Sequence, residues 1–307
     1  MRRLLLSIFG LLLFAGVCFG QSREARQIFL NPVLGQSIPV PKPAPSPSPS
    51  PVAASSPAPV VVPMDAEFDP HLSLGGGLSS GYIRDGWCEN SSPVLGMQAE
   101  FMEGGMYVGI RSTYDFSGKA GRRRHFQDSR LYLGYSMPFR ETGSLGPVSV
   151  DICWTYNTYP GHSEENSGSL SVGLNLEEIW RSGRFVVTGG VTLEHNYGKN
   201  ETFVATEAAC HLSLAEEGAL QWENALVLFW GDSDRMRRMT ASENAGNALY
   251  TLMWRSALPW DLGHGWSVTP YAEILFHPDR RARDAAREDA FNSAATALAG
   301  VRISYFY

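Results

Sequence analysis

The chain ends in Ala295-Thr-Ala-Leu-Ala-Gly-Val-Arg-Ile-Ser-Tyr-Phe-Tyr307. Every second residue from 297 gives Ala297, Ala299, Val301, Ile303, Tyr305 and Tyr307, while the set between them holds Thr296, Gly300, Arg302 and Ser304. Successive side chains of a strand point to opposite faces, so this stretch is a strand with one apolar and one polar face.

The same alternation runs upstream. Val148, Val150, Ile152, Trp154 and Tyr156 alternate with Ser149, Asp151, Cys153, Thr155 and Asn157; Leu170, Val172, Leu174 and Leu176 alternate with Ser171, Gly173, Asn175 and Glu177. Splitting at Gly, Pro, Asn and charged clusters predicts twelve strands, at about 71–84, 93–102, 105–116, 126–137, 147–157, 168–180, 184–196, 202–214, 219–230, 247–258, 265–277 and 294–307. Each is long enough to cross a bilayer core when tilted, and the number is even. The connections alternate short and long, as periplasmic turns and external loops do in outer-membrane barrels, with longer turns expected only at 138–146 and 259–264. The expected fold is an all-β antiparallel transmembrane barrel of about 12 strands over residues 66–307. A lipocalin-like barrel shares the period with its apolar face inward, but Trp and Tyr near the strand ends favour the interface girdles of a membrane barrel. The aromatic terminus matches the C-terminal sorting signal of such barrels, with Tyr305 and Tyr307 offered to the barrel-assembly machinery.

Composition agrees with an exported membrane protein. Hydrophobic residues make up 44% and charged residues 18% of the 307, and the mean hydropathy of −0.15 is too low for a bundle of membrane helices. Arg2 and Arg3 precede an apolar run to Val17 and the small residues of Cys18-Phe-Gly20, a signal peptide over residues 1–20. Its removal takes two arginines and no acid, leaving a net charge of −8, unsuited to nucleic acid. Residues 21–65 form a disordered leader, with ten prolines between Ile38 and Pro63. That composition cannot build a core and favours extended polyproline II, as a plain spacer or as an envelope tether. Cys88, Cys153 and Cys210 form neither a disulfide framework nor a metal pattern. Cys153 is expected inward, Cys210 toward lipid, and Cys88 in the first external loop as a free or intermolecular thiol.

The run Leu74-Gly-Gly-Gly-Leu-Ser-Ser-Gly-Tyr-Ile-Arg-Asp-Gly-Trp87, then Ser92-Pro-Val-Leu-Gly-Met-Gln98, Gly105-Met-Tyr-Val-Gly-Ile-Arg-Ser112, Asp128-Ser-Arg-Leu-Tyr-Leu-Gly-Tyr135 and Val150-Asp151 through Tyr156-Asn-Thr-Tyr-Pro-Gly161 resemble the TorF-like porin family of outer-membrane proteins. The resemblance is strongest over residues 72–161 and implies an exported barrel with a transport role and no catalytic residue.

On these registers the inward face carries Glu100, Asp115, Asp151, Glu177, Glu194, Glu207, Glu223 and Glu273 against Arg111, Arg130, Arg255 and Arg302. These groups either line a narrow aqueous pore, whose acidic excess favours cations or neutral solutes, or pair across the interior as a polar plug. External loops carry Lys119, Arg122, Arg123 and Arg124, and further on Arg235, Arg237 and Arg238. Either cluster suits lipopolysaccharide phosphates or is simply solvated. His211, Ser213 and Glu207 share one strand face, but such trios arise in any polar lumen, and no enzyme, metal or cofactor is expected. The functional expectation is passive passage of small solutes; the alternative is a non-conducting structural barrel with a proline-rich tether.

Overall fold

The computed structural model describes residues 71–116, 126–139, 148–159, 163–215, 219–289 and 293–307. The signal, leader and proline-rich segments, and the basic loop with Lys119, Arg122, Arg123 and Arg124, lie outside the described residues.

Along the chain run β1 (His71–Ser79), β2 (Tyr82–Arg84), β3 (Trp87–Asn90), β4 (Val94–Glu103), β5 (Met106–Asp115), β6 (Phe126–Phe139), β7 (Val148–Thr158) and β8 (Ser167–Ser182). They are followed by β9 (Phe185–Asn196), β10 (Glu201–Ser213), β11 (Gln221–Gly231), helix α1 (Ser233–Thr240), β12 (Ala248–Ala257), β13 (Trp260–Gly263), β14 (Trp266–Phe276), helix α2 (Arg280–Glu288) and β15 (Ala295–Phe306). Twelve of these, β1, β4 to β12, β14 and β15, pair antiparallel with their sequence neighbours, and β1 closes on β15. At the seam Leu72 and Tyr307 exchange backbone hydrogen bonds of 3.1 and 2.9 Å. Closure leaves no edge, the condition for β-structure in hydrocarbon.

The outward face is apolar over its whole middle: Ile110, Leu133, Ile152, Leu174, Leu193, Leu226, Ile274 and Ile303 are all exposed. So continuous an apolar surface is not stable in water, and it forms the lipid band of a bilayer-spanning barrel. No helix of the described residues is long and apolar enough to cross a membrane, so the strands do the crossing. A closed, even-numbered barrel with such a belt is the architecture of the bacterial outer membrane, where this chain resides. Trp154, Tyr156, Trp222, Trp254, Trp260 and Trp266 are exposed aromatics on this outer surface.

All twelve expected barrel strands are present, with ends displaced by a few residues. The largest displacement is in the first, which stops at Ser79 instead of 84. Tyr82–Arg84 and Trp87–Asn90 form a separate two-stranded hairpin. A second correction concerns 259–264. Trp260–Gly263 pairs with β14 and bridges Leu220, so the line of β12 continues past Pro259 and the turn shrinks to His264-Gly265. Pro270, anomalous in a strand, sits where the pairing of β14 with β12 and β13 is interrupted by Leu258-Pro259. Its missing N–H is tolerated there, while its carbonyl still accepts from Leu258 N at 3.0 Å.

The loops after β11 and β14 are not simple solvated strands of charge. Each contains a short helix capped by an aspartate: Asp232 accepts from Arg235 N at 2.8 Å, and Asp279 from Arg281 N at 2.9 Å and Ala282 N at 3.2 Å. Their apolar sides, Met236 of α1 and Ala282 and Ala286 of α2, are fully buried.

Candidate functional site

The inward faces divide the bore into two unlike walls. From β10 through β15 the upper wall is apolar, with Phe203, Ala205, Val227, Phe229, Met253, Leu275 and Leu298 joined to Ile83 of the hairpin and to Met236 and Ala282 of the helices in one core. Val227, Phe229 and Met236 are 0% exposed. At about 1.5–3 kcal/mol for each fully buried large side chain, this core seats the hairpin and both helices on that wall. From β7 to β9 the inward residues are small or polar: Thr155, Ser167, Ser169, Ser171, Gly173, Asn175, Thr188, Gly190 and Thr192.

The hairpin tip is Asp85-Gly86, with φ of 47° and 75°. Positive φ at both central residues is the signature of a type I′ turn, which Asp-Gly favours. The tip is gripped through its carbonyls. Arg235 Nη2 donates to Asp85 O at 3.0 Å, Tyr250 Oη to the same oxygen at 2.7 Å, and Thr251 Oγ1 to Gly86 O at 2.6 Å. Trp87 packs on His277 with ring centroids 4.8 Å apart and donates from Nε1 to Asp289 at 3.3 Å.

A charged cluster fixes the hairpin to the opposite wall. Tyr82 Oη donates to Asp128 at 2.7 Å, and Arg130 Nη2 donates to Tyr82 Oη at 3.2 Å. Arg84 lies 3.4 Å from Asp85 and 3.7 Å from Asp128; Arg130 lies 3.4 Å from Asp128 and 3.9 Å from Asp85. Buried charges are tolerable only when paired in this way. Among the sequence-derived candidates, Arg130 thus belongs to the hairpin seat.

The other candidates fall into groups on the inward face. Arg255 stands directly opposite Glu273 across β12 and β14 and binds Glu207 at 2.8 Å. Arg302 lies over the Tyr271 ring at 5.5 Å, one strand further. On the far wall Tyr132 donates to Glu100 at 2.9 Å, Arg111 to Gln98 at 2.9 Å, and Tyr107 to Asp151 at 2.8 Å. Glu177 sits in a bulge of β8 between Leu176 and Trp180, Asp115 is buried at the end of β5, and Glu223 lies 3.5 Å from His211 Nδ1. His211 Nε2 is 3.2 Å from Thr188 Oγ1, so the histidine engages Thr188 across the sheet, while its Nδ1 makes no hydrogen bond among the described residues.

At the external mouth, between the hairpin, the β9–β10 turn, Tyr159 and the two helices, lies a cavity of about 470 Å³. Its lining includes Arg84, Trp87, Glu89, Glu194, Lys199, Glu201, Arg238, Glu288 and Asp289. Glu194 is the one sequence-derived lumen candidate that reaches it. Arg238 binds Glu201 with two bonds of 2.7 Å, and Arg235 Nη1 lies 3.6 Å from the same carboxylate. The expectation of lipopolysaccharide-facing arginines in this loop is therefore corrected for Arg235, which is 4% exposed and pairs inward. Lys199 Nζ lies 5.3 Å from the Tyr159 ring centroid, with the Arg84 guanidinium 4.9 Å from the same ring. Burial, reinforced by the Arg238 and Arg84 charges, brings the Lys199 amine down to about 8.

Cys88 is a free thiol, one of the two alternatives expected; it is 0% exposed and donates to Asn90 O at 3.5 Å, which removes the intermolecular one. Cys153 is on the inward face and Cys210 on the outward face of strands that are not neighbours.

No protein-family model matches the sequence, and a search of curated proteins finds no match. Among solved structures, an outer-membrane channel from Pseudomonas putida F1 is similar at 7% identity and a TM-score of 0.48, covering 81% of this chain and 100% of that one. The NanC porin is similar at 11% identity and TM-score 0.44, and the KdgM porin at 6% and 0.43, each covering 76% of this chain and 98% of the other. At such values these are likenesses of barrel form, and no residue role is taken from them.

Proposed function

We propose that the chain is an outer-membrane channel for passive passage of small polar solutes, of the TorF-like porin type that residues 72–161 resemble. The observation that carries this reading is the division of the bore. Hairpin and helices stack on the apolar wall of β10 to β15, while the inward residues of β7 to β9 are small or polar and two of them, Glu194 and Asn196, reach the external cavity. A solute entering beside the hairpin meets that wall. Carboxylates outnumber arginines among the inward candidates, which favours cations over anions.

Planar-bilayer recording of the purified chain tests the proposal. We expect conductance with a cation preference that weakens in Glu207→Gln and Glu223→Gln. A clear anion preference contradicts the charge argument. The ion pairs around Arg130 and Arg255 favour a second reading, a non-conducting structural barrel with a proline-rich tether. Absence of conductance, with an envelope defect on deleting residues 38–63, supports that one instead.

Two partners complete the proposal. Lys119, Arg122, Arg123 and Arg124 would meet lipopolysaccharide phosphates at the outer leaflet. Tyr305 and Tyr307 would present the terminal strand to the barrel-assembly machinery; Tyr307 is 82% exposed at the end of that strand.

A further inference from the structure

Cys153, Ser171, Glu194 and Phe203 stand opposite one another in a single inward row across β7, β8, β9 and β10. Phe203 belongs to the apolar core that seats the hairpin and helices, so Glu194 stands at the border between the two walls. The other inward residues of β8 and β9, from Ser167 to Asn175 and from Thr188 to Asn196, are serine, threonine, asparagine and glycine. Glu194 is the one charged group among them, and it also lines the external cavity.

The carboxylate of Glu194 is half-buried, with the Ser169 hydroxyl beside it. Arg84, Arg130 and Asp85 act on it through space. Both guanidiniums are committed to Asp85 and Asp128, which lie 3.4 to 3.9 Å from them. Two cations balance two anions there, and among the described residues no cation lies within ion-pair distance of Glu194. Glu207 and Glu223 differ. They lie further along β10 and β11, past Phe203 and Phe229, with Arg255 at 2.8 Å from the first and His211 at 3.5 Å from the second. A carboxylate without a counter-charge, set in a narrow cleft with low-dielectric walls, focuses its field on whatever passes.

We propose that Glu194 is the residue that selects solutes by charge, drawing cations from the external cavity onto the wall of β7 to β9 and turning anions back. The inference rests on the channel reading and deepens it by naming the selecting residue. The row supplies its own reporter. Cys153 stands two strands from Glu194 in the same row, close enough for the carboxylate charge to act on it. Cys88 is buried and Cys210 is on the outward face, so the thiol that reports from the bore is Cys153.

The test labels the full chain in detergent micelles, at low ionic strength, with two methanethiosulfonates of similar size, one bearing trimethylammonium and the other sulfonate. Each transfers its thioalkyl group to the Cys153 thiolate and releases methanesulfinate, and peptide mass spectrometry gives the two rates. Their ratio, divided by the ratio for a small free thiol, cancels the reactivity of the thiol itself. It is expected to favour the ammonium reagent at least about tenfold, the scale on which a charged cleft concentrates counter-ions. Glu194→Gln should bring the ratio close to unity, and Glu194→Asp should retain it. In bilayers under a salt gradient, Glu194→Gln should lower the cation preference more than Glu207→Gln does. Heat-dependent gel mobility verifies that each variant is folded. An unbiased ratio in the unaltered chain, a ratio unchanged by Glu194→Gln, or no labelling of Cys153 overturns the assignment. A chain that conducts with a preference indifferent to Glu194→Gln loses only this inference; one that does not conduct loses the channel and the inference with it.

Discussion

Tyr132 lies across Gly109, the residue directly opposite it on the neighbouring strand, and Tyr107 lies across Gly134 in return. The pattern Tyr-x-Gly occurs on both β5 and β6, and antiparallel pairing sets each ring over the other strand's glycine. Both hydroxyls then reach across to carboxylates, Tyr132 to Glu100 and Tyr107 to Asp151. A methyl group on either glycine would fall inside a tyrosine ring. Gly109→Ala and Gly134→Ala are expected to destabilise the barrel by about 1–3 kcal/mol through displaced rings. The midpoint of urea unfolding in detergent measures this, and an unchanged midpoint contradicts it.

The hairpin tip allows an equally local test. Gly86 has φ of 75°, and a Cβ there would approach Phe229 Cδ2 to 2.7 Å. Gly86→Ala therefore strains both the turn and its seat. With the hairpin as the external obstruction of the bore, single-channel conductance should rise in this variant. Conductance equal to that of the unaltered chain would show that the hairpin obstructs nothing.

Glu201 is the counter-charge of two arginines, one of them almost fully buried. Glu201→Gln leaves Arg235 without its ion pair and is expected to cost about 3–5 kcal/mol locally. Helix α1 should loosen before the barrel does. Limited trypsin digestion reports this as faster cleavage after Arg237 and Arg238, with heat-dependent gel mobility retained. Unaltered cleavage rates argue against the pairing.

The amine of Lys199 should titrate near 8, well below its ordinary 10.5. The groups that face it are Arg238, Arg84, Glu201 and Glu89, and burial acts with the two arginines against the charged form. Between about 8 and 10.5 the folded chain holds this proton less than the unfolded chain does, so this contribution to stability rises with pH across that window and is flat on either side. Amine labelling followed by mass spectrometry across pH gives the midpoint directly. A midpoint near 10.5 would contradict the buried placement.

Much of the wall was legible because one face of each strand touches lipid, which rejects charge at nearly every second residue. The residues that seat the hairpin were harder to read. Phe203, Val227 and Phe229 share an inward face with Glu207 and Glu223, and apolar residues on a polar face carry no sign of what covers them until the tertiary fold supplies it. The hairpin itself had a local signal. Asp85-Gly86 is the favoured pair for a two-residue turn, yet Tyr82-Ile-Arg84 continues the period of β1 closely enough to be read as its last residues. The vestibule was nearly invisible: Arg84, Tyr159, Lys199, Arg238 and Glu288 come from five separate loops and turns, and only closure of the barrel brings them together.

The three donors that hold the hairpin tip all end on main-chain oxygens of Asp85 and Gly86. Every amino acid has that oxygen. The grip therefore imposes little on the identity of the side chains that flank the tip, apart from the glycine its turn requires. At the tip, holding falls to the main chain; toward the base of the hairpin it falls to the side chains of Tyr82, Ile83, Arg84 and Trp87. The side chain of Glu89, which lines the entrance and takes no part in this grip, can change without touching it.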